Sequence, residues 1–249
     1  MLAVLGVVCW LQPRVPLYAY NAWLTMRLGG DAAAPPFVAM EPWLDAAFTA
    51  RWRDIRDEMQ RALSTVGTEA VPAFHEVDNG QRLISGGDRR WKTLVLLGYG
   101  KEVPANARLC PLTWSLVQAH RDRITSAMFS IIQPGKRIPP HRGPFRGVLR
   151  YHLGLTVPGG AAGDERCWMR VDRRRYRWRE GEAVLFDDTY EHEVHNDTNE
   201  TRVILFLDVL RRTGDARVDA ANRRMHDWVS RSRRVQQSAQ RAEIQRDAD

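Results

Sequence analysis

The second half of the chain is a succession of short β-rich segments separated by turn residues. These segments cover residues 127–133, 147–157, 166–171, 183–187 and 202–210. None of them is followed by a convincing crossover helix, which a parallel doubly wound sheet requires between successive strands. The pattern therefore predicts that the strands pair antiparallel and form a double-sheet barrel.

Composition divides the chain into three parts. Residues 1–28 are rich in apolar and aromatic side chains, and a Gly- and Pro-rich linker, 29–36, separates them from the rest of the chain. Residues 37–211 contain the β-rich segments and form the predicted main domain. Residues 212–249 are charged and compatible with helix. We therefore expect a basic helical tail whose last residues are disordered.

The N-terminal part is apolar but interrupted. The run Met1–Leu11 is shorter than the roughly 20 apolar residues that a spanning helix needs, and it lacks the basic start of a secretory signal. Residues 17–24 add further apolar and aromatic surface. Two hypotheses fit this composition: a membrane anchor that lies in the interface, or a helix that packs on the main domain.

Three further elements are expected within the main domain. Apolar side chains recur at spacings of three or four over residues 41–63, which predicts an amphipathic helix. Residues 91–98 have the composition of a strand, and residues 112–120 follow Cys110-Pro111 as a second helix. The main domain should therefore carry helices beside its barrel.

Composition also limits the compartment and the partners. The cysteines Cys9, Cys110 and Cys167 are widely spaced and odd in number, which argues against a disulfide framework and favours a reducing, cytoplasmic setting. The net charge of +7 favours anionic partners, and much of it lies in the arginine cluster 173–179 and in the tail. No recognised nucleic-acid-binding motif accompanies these arginines, so we do not expect nucleic acid as a partner. Solvated faces are the alternative explanation for the clusters.

Two segments of the β-rich half each present a histidine next to strand-like sequence. Pro140–Pro144 contains His141, and Phe186–Glu193 contains His192. Imidazole is a common ligand of divalent iron, zinc and copper. Adjacent strands of a barrel can bring two histidines that are distant in sequence to one mouth. The pair predicts a metal site, with histidines that serve only as hydrogen-bonding groups as the alternative.

A third ligand is harder to identify from the residues. Non-haem iron enzymes usually add a carboxylate two positions after the first histidine, but that position is Gly143. The local carboxylates lie around the second histidine: Asp187, Asp188, Glu191 and Glu193. Both glutamates flank the histidine in an alternating strand, so they should point away from it. Taken alone, this segment leaves the metal hypothesis open.

An arginine lies in each of two apolar runs. Arg150 is inside the run 147–155, and Arg202 begins the run 202–207. A guanidinium in an apolar strand is unfavourable unless its charge is paired, and its planar fork fits carboxylates. A bound dicarboxylate would pair with both arginines. The alternative is an internal salt bridge, for instance to Asp208.

Together these residues resemble the aspartyl/asparaginyl β-hydroxylase family of iron(II)- and 2-oxoglutarate-dependent dioxygenases. The matching segments are Phe129–Gly135, Pro140–Pro144, Leu149–Leu155, Trp178–Glu182, Phe186–Asp188, Glu191–Glu193 and Arg202–Val209. Their order, spacing and residue types all agree with the family. The resemblance implies a mainly β double-stranded β-helix, which is a cupin-like jelly roll, with flanking helices. Residues 37–211 are then the dioxygenase domain.

The resemblance also implies the roles of individual residues. The family has a two-histidine iron site with glycine at the acidic position, and Gly143 conforms to that pattern. By position, His141 and His192 match the Fe(II) ligands. The residues implied to bind the cosubstrate 2-oxoglutarate are Ser130, Arg150, His152, Arg202 and Trp91.

Within the family the chain is most similar to the bacterial lipid A 2-hydroxylases. The similarity lies in Leu149–Leu155, in Thr201–Phe206, in the N-terminal part with Tyr20-Asn21 and in the tail. It implies that O2 is used to hydroxylate an unactivated C–H bond of a lipid A acyl chain, at the inner membrane surface. Glu191–Val194 is more similar to the peptide-modifying branch, so β-hydroxylation of Asp or Asn in a peptide is the alternative. A non-catalytic metal-binding jelly roll is the alternative outside enzymes.

Overall fold

The strands form two antiparallel sheets. The computed structural model describes residues 14–30 and 34–244. Its strands are β1 (Phe37–Val38), β2 (Trp91–Gly98), β3 (Lys101–Glu102), β4 (Ile124–Ile132), β5 (Lys136–His141), β6 (Val148–Thr156), β7 (Cys167–Val171), β8 (Arg174–Arg177), β9 (Ala183–Phe186), β10 (His192–Asn196) and β11 (Arg202–Leu210). The larger sheet has the order β1-β9-β6-β11-β4-β2-β3, and the smaller sheet has the order β5-β10-β7-β8. Every pairing within them is antiparallel, which confirms the predicted jelly roll.

Side chains of the larger sheet pack on two different layers. Because successive residues of a strand point to opposite faces, Phe129 and Leu205 pack against helices, whereas Met128 and Phe206 pack in the apolar layer shared with the smaller sheet. All nine positions of β4 are buried as a result. A strand covered on both sides has a continuous apolar sequence, which is why the apolar runs in the sequence predict β4 and β11.

Helices cover one face of the larger sheet, and helices are also the first and last elements of the described chain. They are α1 (Arg14–Arg27), α2 (Pro42–Ala47), α3 (Trp52–Val66), α4 (Phe74–Val77), α5 (Arg82–Ser85), α6 (Pro104–Leu109), α7 (Pro111–Ala119), α8 (Ala216–Ser230) and α9 (Arg233–Arg241). The apolar positions Ile55, Met59 and Ala62 of α3 lie on one helical face and are buried against the sheet. The single helix predicted over 41–63 is instead α2 and α3, separated by a 3-10 turn at Thr49–Arg51.

A buried carboxylate joins two of these helices. Glu58 of α3 is 4% exposed and accepts hydrogen bonds from the Leu112 and Thr113 amides, at 2.6 and 2.8 Å. The Thr113 hydroxyl donates to the same carboxylate at 2.6 Å. A negative charge at the first turn of α7 satisfies amides that have no partner within that helix. Glu58 therefore replaces the N-cap side chain that Cys110 does not supply.

Both terminal segments pack on the jelly roll. Leu17 of α1 is buried with Phe145 and Val148, and Met225 of α8 packs on the same group. Ile244, after α9, reaches the core beneath the larger sheet. The tail predicted at 212–249 is thus helical over most of its described length and is packed, not appended. Part of the predicted anchor, residues 1–13, lies outside the described residues. So do residues 245–249, for which disorder was predicted.

Apart from the two-residue strands β1 and β3, the strands that the sequence did not reveal lie in the smaller sheet. β5 contains Pro139 and Pro140, and β8 is built largely of arginines, so neither has a typical strand composition. Both are edge strands, where proline and charged residues are tolerated because one side of the strand needs no partner. β10, which begins at His192, has polar residues at alternate positions and lies outside the five predicted β-rich segments.

Two further expectations concern cysteines and membrane spans. Cys110 and Cys167 are free, which agrees with the expected lack of a disulfide framework, and both are buried, whereas Cys9 lies outside the described residues. In residues 14–30 and 34–244, no helix combines the length and the hydropathy needed to cross a bilayer.

Candidate active site

Strand register brings most of the predicted site residues to the layer between the two sheets. Ser130 of β4 lies opposite Ile204 of β11, and His152 of β6 lies opposite Phe206. Directly opposed residues share a face of the sheet, and Ile204 and Phe206 belong to the inner layer. Alternation along β11 places Arg202 on that same face. The larger sheet thus directs polar side chains from several strands toward the smaller sheet.

The two candidate metal ligands sit side by side on the smaller sheet. His141 ends β5, His192 begins β10, and the two are directly paired, with ring centroids 4.1 Å apart. The Nδ1 atom of His141 lies 2.9 Å from the Pro139 carbonyl oxygen, and that of His192 lies 2.9 Å from the Tyr190 carbonyl oxygen. Because a carbonyl can only accept, each Nδ1 carries the hydrogen. The lone pair of each ring is therefore on Nε2.

Burial keeps both imidazoles in the form that binds metal. It lowers the pKa of His141, and it lowers the pKa of His192 well below its usual value, with His141 beside it adding to that effect. A metal ligand must be the neutral imidazole. Two neutral rings with centroids 4.1 Å apart and backbone-fixed orientations fit a divalent transition metal.

Among the described residues, no third side chain with a metal-binding group joins the pair. Across residues 14–30 and 34–244, groups of three or more His, Cys, Asp or Glu with metal-binding geometry are absent. Glu191 and Glu193 point outward, as predicted, and both pair with Arg170. The donor set is that of two histidines, which agrees with glycine at position 143.

Asp188 occupies the space beside that glycine. A Cβ atom added to Gly143 would lie 1.9 Å from Asp188 Oδ2, and the Gly143 amide donates to the Asp188 carbonyl at 2.7 Å. Asp188 is 2% exposed, and its Oδ1 has no hydrogen-bond partner among the described residues. Burial raises the pKa of this carboxyl above its usual value, and the lowering of the pKa by Arg150 beside it offsets only part of that rise. The sequence offered Asp188 only as one of four local carboxylates.

Arg202 is a buried guanidinium without a carboxylate. It is 2% exposed, and neither Nε nor Nη1 has a hydrogen-bond partner within the described part of the chain. Its Cζ lies 4.5 Å from the centroid of the Trp178 ring. Burial lowers the pKa of Arg202 to about 10, so the group stays charged at neutral pH. Buried polar groups are almost always satisfied, so this side chain has the charge and the free donors to bind an anion.

His152 has aromatic neighbours that also contact Arg202 and His192, one of the two candidate metal ligands. Its ring is 5.0 Å from Phe186, whose ring is 5.9 Å from His192. Both ring nitrogens of His152 lack hydrogen-bond partners in the described residues, and burial lowers its pKa well below the usual value. A neutral imidazole can donate one hydrogen bond and accept another. The His152 ring also lies 6.1 Å from Trp178, the ring beneath Arg202, so ring contacts connect the candidate metal ligand His192 to Arg202.

Ser130 and Trp91 lie on β4 and β2, the strands that continue the larger sheet beyond Arg202 of β11. The Trp91 Nε1 donates to Ser130 Oγ at 3.1 Å, which leaves the hydroxyl hydrogen of Ser130 free to donate. Thr93 lies directly opposite Ser130, and its Oγ1 has no partner among the described residues. Trp178 Nε1 is also buried without one. Neither Thr93 nor Trp178 was identified from sequence, since neither residue type signals a site by itself.

Arg150 differs from Arg202 in being paired. Its Nη2 lies 2.9 Å from Asp188 Oδ2, and its Nε donates to Asp208 Oδ1 at 3.0 Å. The internal salt bridge to Asp208, expected as the alternative, is present. The role of Arg150 in binding 2-oxoglutarate therefore stays a prediction, without support from an unsatisfied charge.

Asp187 fixes the loop that leads into His192. It is fully buried, and its Oδ1 accepts from the amide and hydroxyl of Thr189. Its Oδ2 accepts from Arg211 at 2.6 Å and from Arg146 at 3.3 Å. The sequence did not assign this role, because both arginines are distant in sequence.

Comparison with known proteins links this geometry to a family. The family model described as aspartyl/asparaginyl beta-hydroxylase matches residues 49–212. An ornithine lipid ester-linked acyl 2-hydroxylase of Rhizobium tropici is 43% identical over 209 residues, which are 83% of this chain and 68% of that protein. The aspartyl/asparaginyl beta-hydroxylase of Mus musculus is 30% identical over 162 residues, which are 64% of this chain and 20% of that protein.

Solved structures that resemble this chain include a cupin domain. The Cnp3 cupin domain of Schizosaccharomyces pombe is 11% identical, with a TM-score of 0.35 over 55% of this chain and 72% of that one. The family match covers most of the chain and includes both histidines, Gly143 and Arg202. This chain therefore belongs to the aspartyl/asparaginyl β-hydroxylase family.

Proposed function

We propose that this protein is an Fe(II)- and 2-oxoglutarate-dependent dioxygenase that hydroxylates a lipid acyl chain, with lipid A as the preferred candidate. The observation that carries the proposal is Arg202, a buried charge that has no carboxylate partner in the described residues. A dicarboxylate bound beside it would satisfy the fork with two charge-assisted hydrogen bonds. Family membership supports a hydroxylase, and the R. tropici relative acts on the acyl chain of a lipid.

The residues present suit both proposed groups. His141 and His192 would hold the iron through Nε2, because their Nδ1 atoms are occupied by backbone carbonyls. Arg202 would pair with the far carboxylate of 2-oxoglutarate, and the free hydroxyl hydrogen of Ser130 would donate to it. Bound together, iron and 2-oxoglutarate supply the oxidising power that lets O2 hydroxylate an unactivated C–H bond.

The protein itself contributes order and exclusion of water. His152 is held neutral by burial, so it adds a directional hydrogen bond without adding charge beside Arg202. Ile204, Phe206 and Val194 line the layer between the sheets. Such an apolar lining strengthens every charge pair inside it and keeps water from reactive species.

The first prediction tests the cosubstrate and the metal directly. Purified protein is expected to release succinate only when Fe(II) and 2-oxoglutarate are both present, and a chelator should stop that release. His192→Ala should reduce turnover by roughly 100-fold or more, because removal of a metal ligand leaves one imidazole. His195→Ala is the matched control, since His195 lies on the same strand but stacks on Trp168 of the outer face. Wild-type turnover by His192→Ala would refute the ligand assignment.

Two observations bear on the choice between a lipid and a peptide substrate. Glu191 and Glu193, the sequence argument for a peptide, are engaged by Arg170 outside the barrel and do not face the site. Helix α1, in contrast, buries Leu17 and Leu24 yet exposes Tyr18 and Met26 on its other side. Large apolar side chains that stay exposed on a packed helix can enter the interface of a membrane. This favours the lipid, with Asp or Asn hydroxylation in a peptide as the alternative.

Contacts of α1 hold the helix against the loop that follows His141. The Asn21 side chain donates to the Pro144 carbonyl at 2.8 Å and accepts from the Arg146 amide at 2.9 Å. Pro144 and Arg146 follow His141 in the same loop. We propose a cytoplasmic protein that is peripheral at the inner membrane, with α1 against the lipid and the mouth of the barrel beside it.

The second prediction concerns this surface. Met26 is 71% exposed, so Met26→Asp should leave the fold intact and weaken binding to anionic vesicles by roughly tenfold, because one apolar side chain no longer enters the interface. Leu83→Asp is the control, since Leu83 is 92% exposed but lies on a different helix, α5. Vesicle sedimentation measures the difference. Equal losses in both variants would argue against α1 as the membrane surface.

A further inference from the structure

The hairpin β7–β8 ends beside the mouth that holds the two histidines. His141 is paired with His192, His192 with Val171, and Val171 with Arg174. These four residues form one row across the smaller sheet. Because directly opposed residues point to the same face, the side chain of Arg174 emerges on the face that carries both histidines. Two strand spacings, about 10 Å, separate its backbone from that of His192.

The tip of this hairpin is held in place. Asp172 adopts a left-handed conformation, with φ of 53°, which is unusual for a residue other than glycine. Its amide donates to the Glu191 carbonyl at 2.8 Å, and its own carbonyl accepts from Arg170 Nη1 at 2.6 Å. The tip is therefore fixed to the residue that precedes His192, and Arg173 and Arg174 project from a positioned support.

Arg173 and Arg174 carry unpaired charges. Both are exposed, and within residues 14–30 and 34–244 neither forms an ion pair. The neighbouring arginines are engaged, since Arg170 pairs with Glu191 and Glu193, and Arg177 pairs with Glu165. Exposed Asp172 is the one carboxylate in the tip itself. The tip thus carries a net positive charge at the entrance to the site.

A second source of positive charge lies across the mouth. Arg142 follows His141 directly, is exposed, and donates only to the Thr189 carbonyl, at 3.1 Å, among its described contacts. Cations on both sides of an opening focus the field and favour entry of an anion. An uncharged acyl chain does not need them, so they indicate an anionic group attached to the chain.

We infer that Arg173 and Arg174 bind the phosphate of the substrate's head group while its acyl chain reaches the two histidines. This inference rests on the proposed lipid substrate and specifies its chemical class. Two adjacent guanidiniums match the charge of a phosphate monoester, about −1.5 to −2, better than that of a single carboxylate. A zwitterionic amino-acid head group would bring its ammonium group against the same arginines.

Direct binding tests the inference without turnover. Calorimetry on the full-length protein would compare a short-chain phosphatidate, below its micelle concentration, with the diacylglycerol of the same chains. We expect phosphatidate to bind at least roughly tenfold more tightly, and Arg173→Gln/Arg174→Gln to remove that preference, as charge-assisted hydrogen bonds are lost. Arg175→Gln is the matched control, because Arg175 stacks on Trp168 of the outer face, 3.8 Å from the ring centroid. Unchanged binding by the double variant, or an equal loss in the control, would overturn the inference.

Two competitors identify the source of the anion. Inorganic phosphate should compete only weakly, and phosphate that binds as tightly as phosphatidate would overturn the head-group assignment in favour of a free-anion site. An aspartate-containing peptide whose binding depends on the same two arginines would overturn it in favour of a peptide.

Kinetics separate this inference from the proposed function. If lipid is hydroxylated, the double variant should raise KM roughly tenfold with kcat retained, because the head group is held equally in the ground and transition states. Hydroxylation with an unchanged KM would refute the arginine site alone. Arginine-dependent phosphatidate binding without any succinate release would support the arginine site and refute the proposed dioxygenase.

Discussion

Methionine in place of Arg202 is expected to abolish the response to 2-oxoglutarate and, at the same time, to stabilise the ligand-free protein. The guanidinium is 2% exposed and lacks partners at Nε and Nη1 among the described residues. A buried charge without a partner opposes folding, whereas a thioether of similar length packs well against Trp178, Ile204 and their neighbours. We expect the free energy of unfolding to rise by about 1–3 kcal/mol.

Ligand binding should change in the opposite direction. Loss of the partner of a buried carboxylate weakens binding by roughly 100-fold or more, so the variant should show no thermal stabilisation by 2-oxoglutarate at concentrations that stabilise the wild type. Anaerobic thermal unfolding with Fe(II), with and without 2-oxoglutarate, measures both effects in one experiment. Arg202→Lys keeps the charge but not the fork and should recover binding only in part.

The opposite result would have a clear meaning. If Arg202→Met destabilised the protein by several kcal/mol, the guanidinium would have an internal partner, and the case for a dicarboxylate at this position would fail. Arg137→Gln is a suitable control, because Arg137 pairs with Asp197 on the exposed outer face and should alter neither stability nor ligand response by a large amount.

The two arginines show what sequence can and cannot predict about such a site. Arg150 and Arg202 have the same sequence context, a guanidinium in an apolar strand, and this context predicts either an internal salt bridge or a bound anion. The structure gives one outcome for each, because Asp188 and Asp208 meet Arg150, whereas no carboxylate of the described residues reaches Arg202. Which outcome applies depends on strand register, and register depends on contacts that a single sequence does not specify.

The burial of each strand explains which strands the sequence predicted. β2, β4, β6 and β11 are buried on both faces or nearly so, and their continuous apolar sequences predict them. β5, β8 and β10 carry proline, arginine or alternating polar residues, yet they belong to the smaller sheet that holds His141 and His192. The histidines were identifiable by residue type, whereas their direct pairing was not.

Aspartate at position 143, which would recreate the carboxylate found in most iron enzymes of this kind, is expected to inactivate the protein. A Cβ atom at this position would lie 1.9 Å from Asp188 Oδ2 and 2.2 Å from its Cγ, so the two side chains cannot both keep their places. Asp188 cannot simply move, because it is buried and pairs with Arg150 at 2.9 Å. Gly143→Asp should therefore cost about 2–4 kcal/mol of stability through overpacking and a disrupted buried ion pair.

A double-mutant cycle makes this expectation specific. Asp188→Ala removes the obstructing carboxylate, so Gly143→Asp in that background should cost much less than in the wild type, with a coupling energy above about 1 kcal/mol. In the double variant the new carboxylate can approach Arg150 in place of Asp188. Denaturant unfolding of the four proteins gives the coupling, and succinate release reports the site. Additive effects would show that Asp188 does not occupy the position beside Gly143. Coupled effects would show that Asp188 fills the space beside Gly143, where its carboxylate pairs with Arg150.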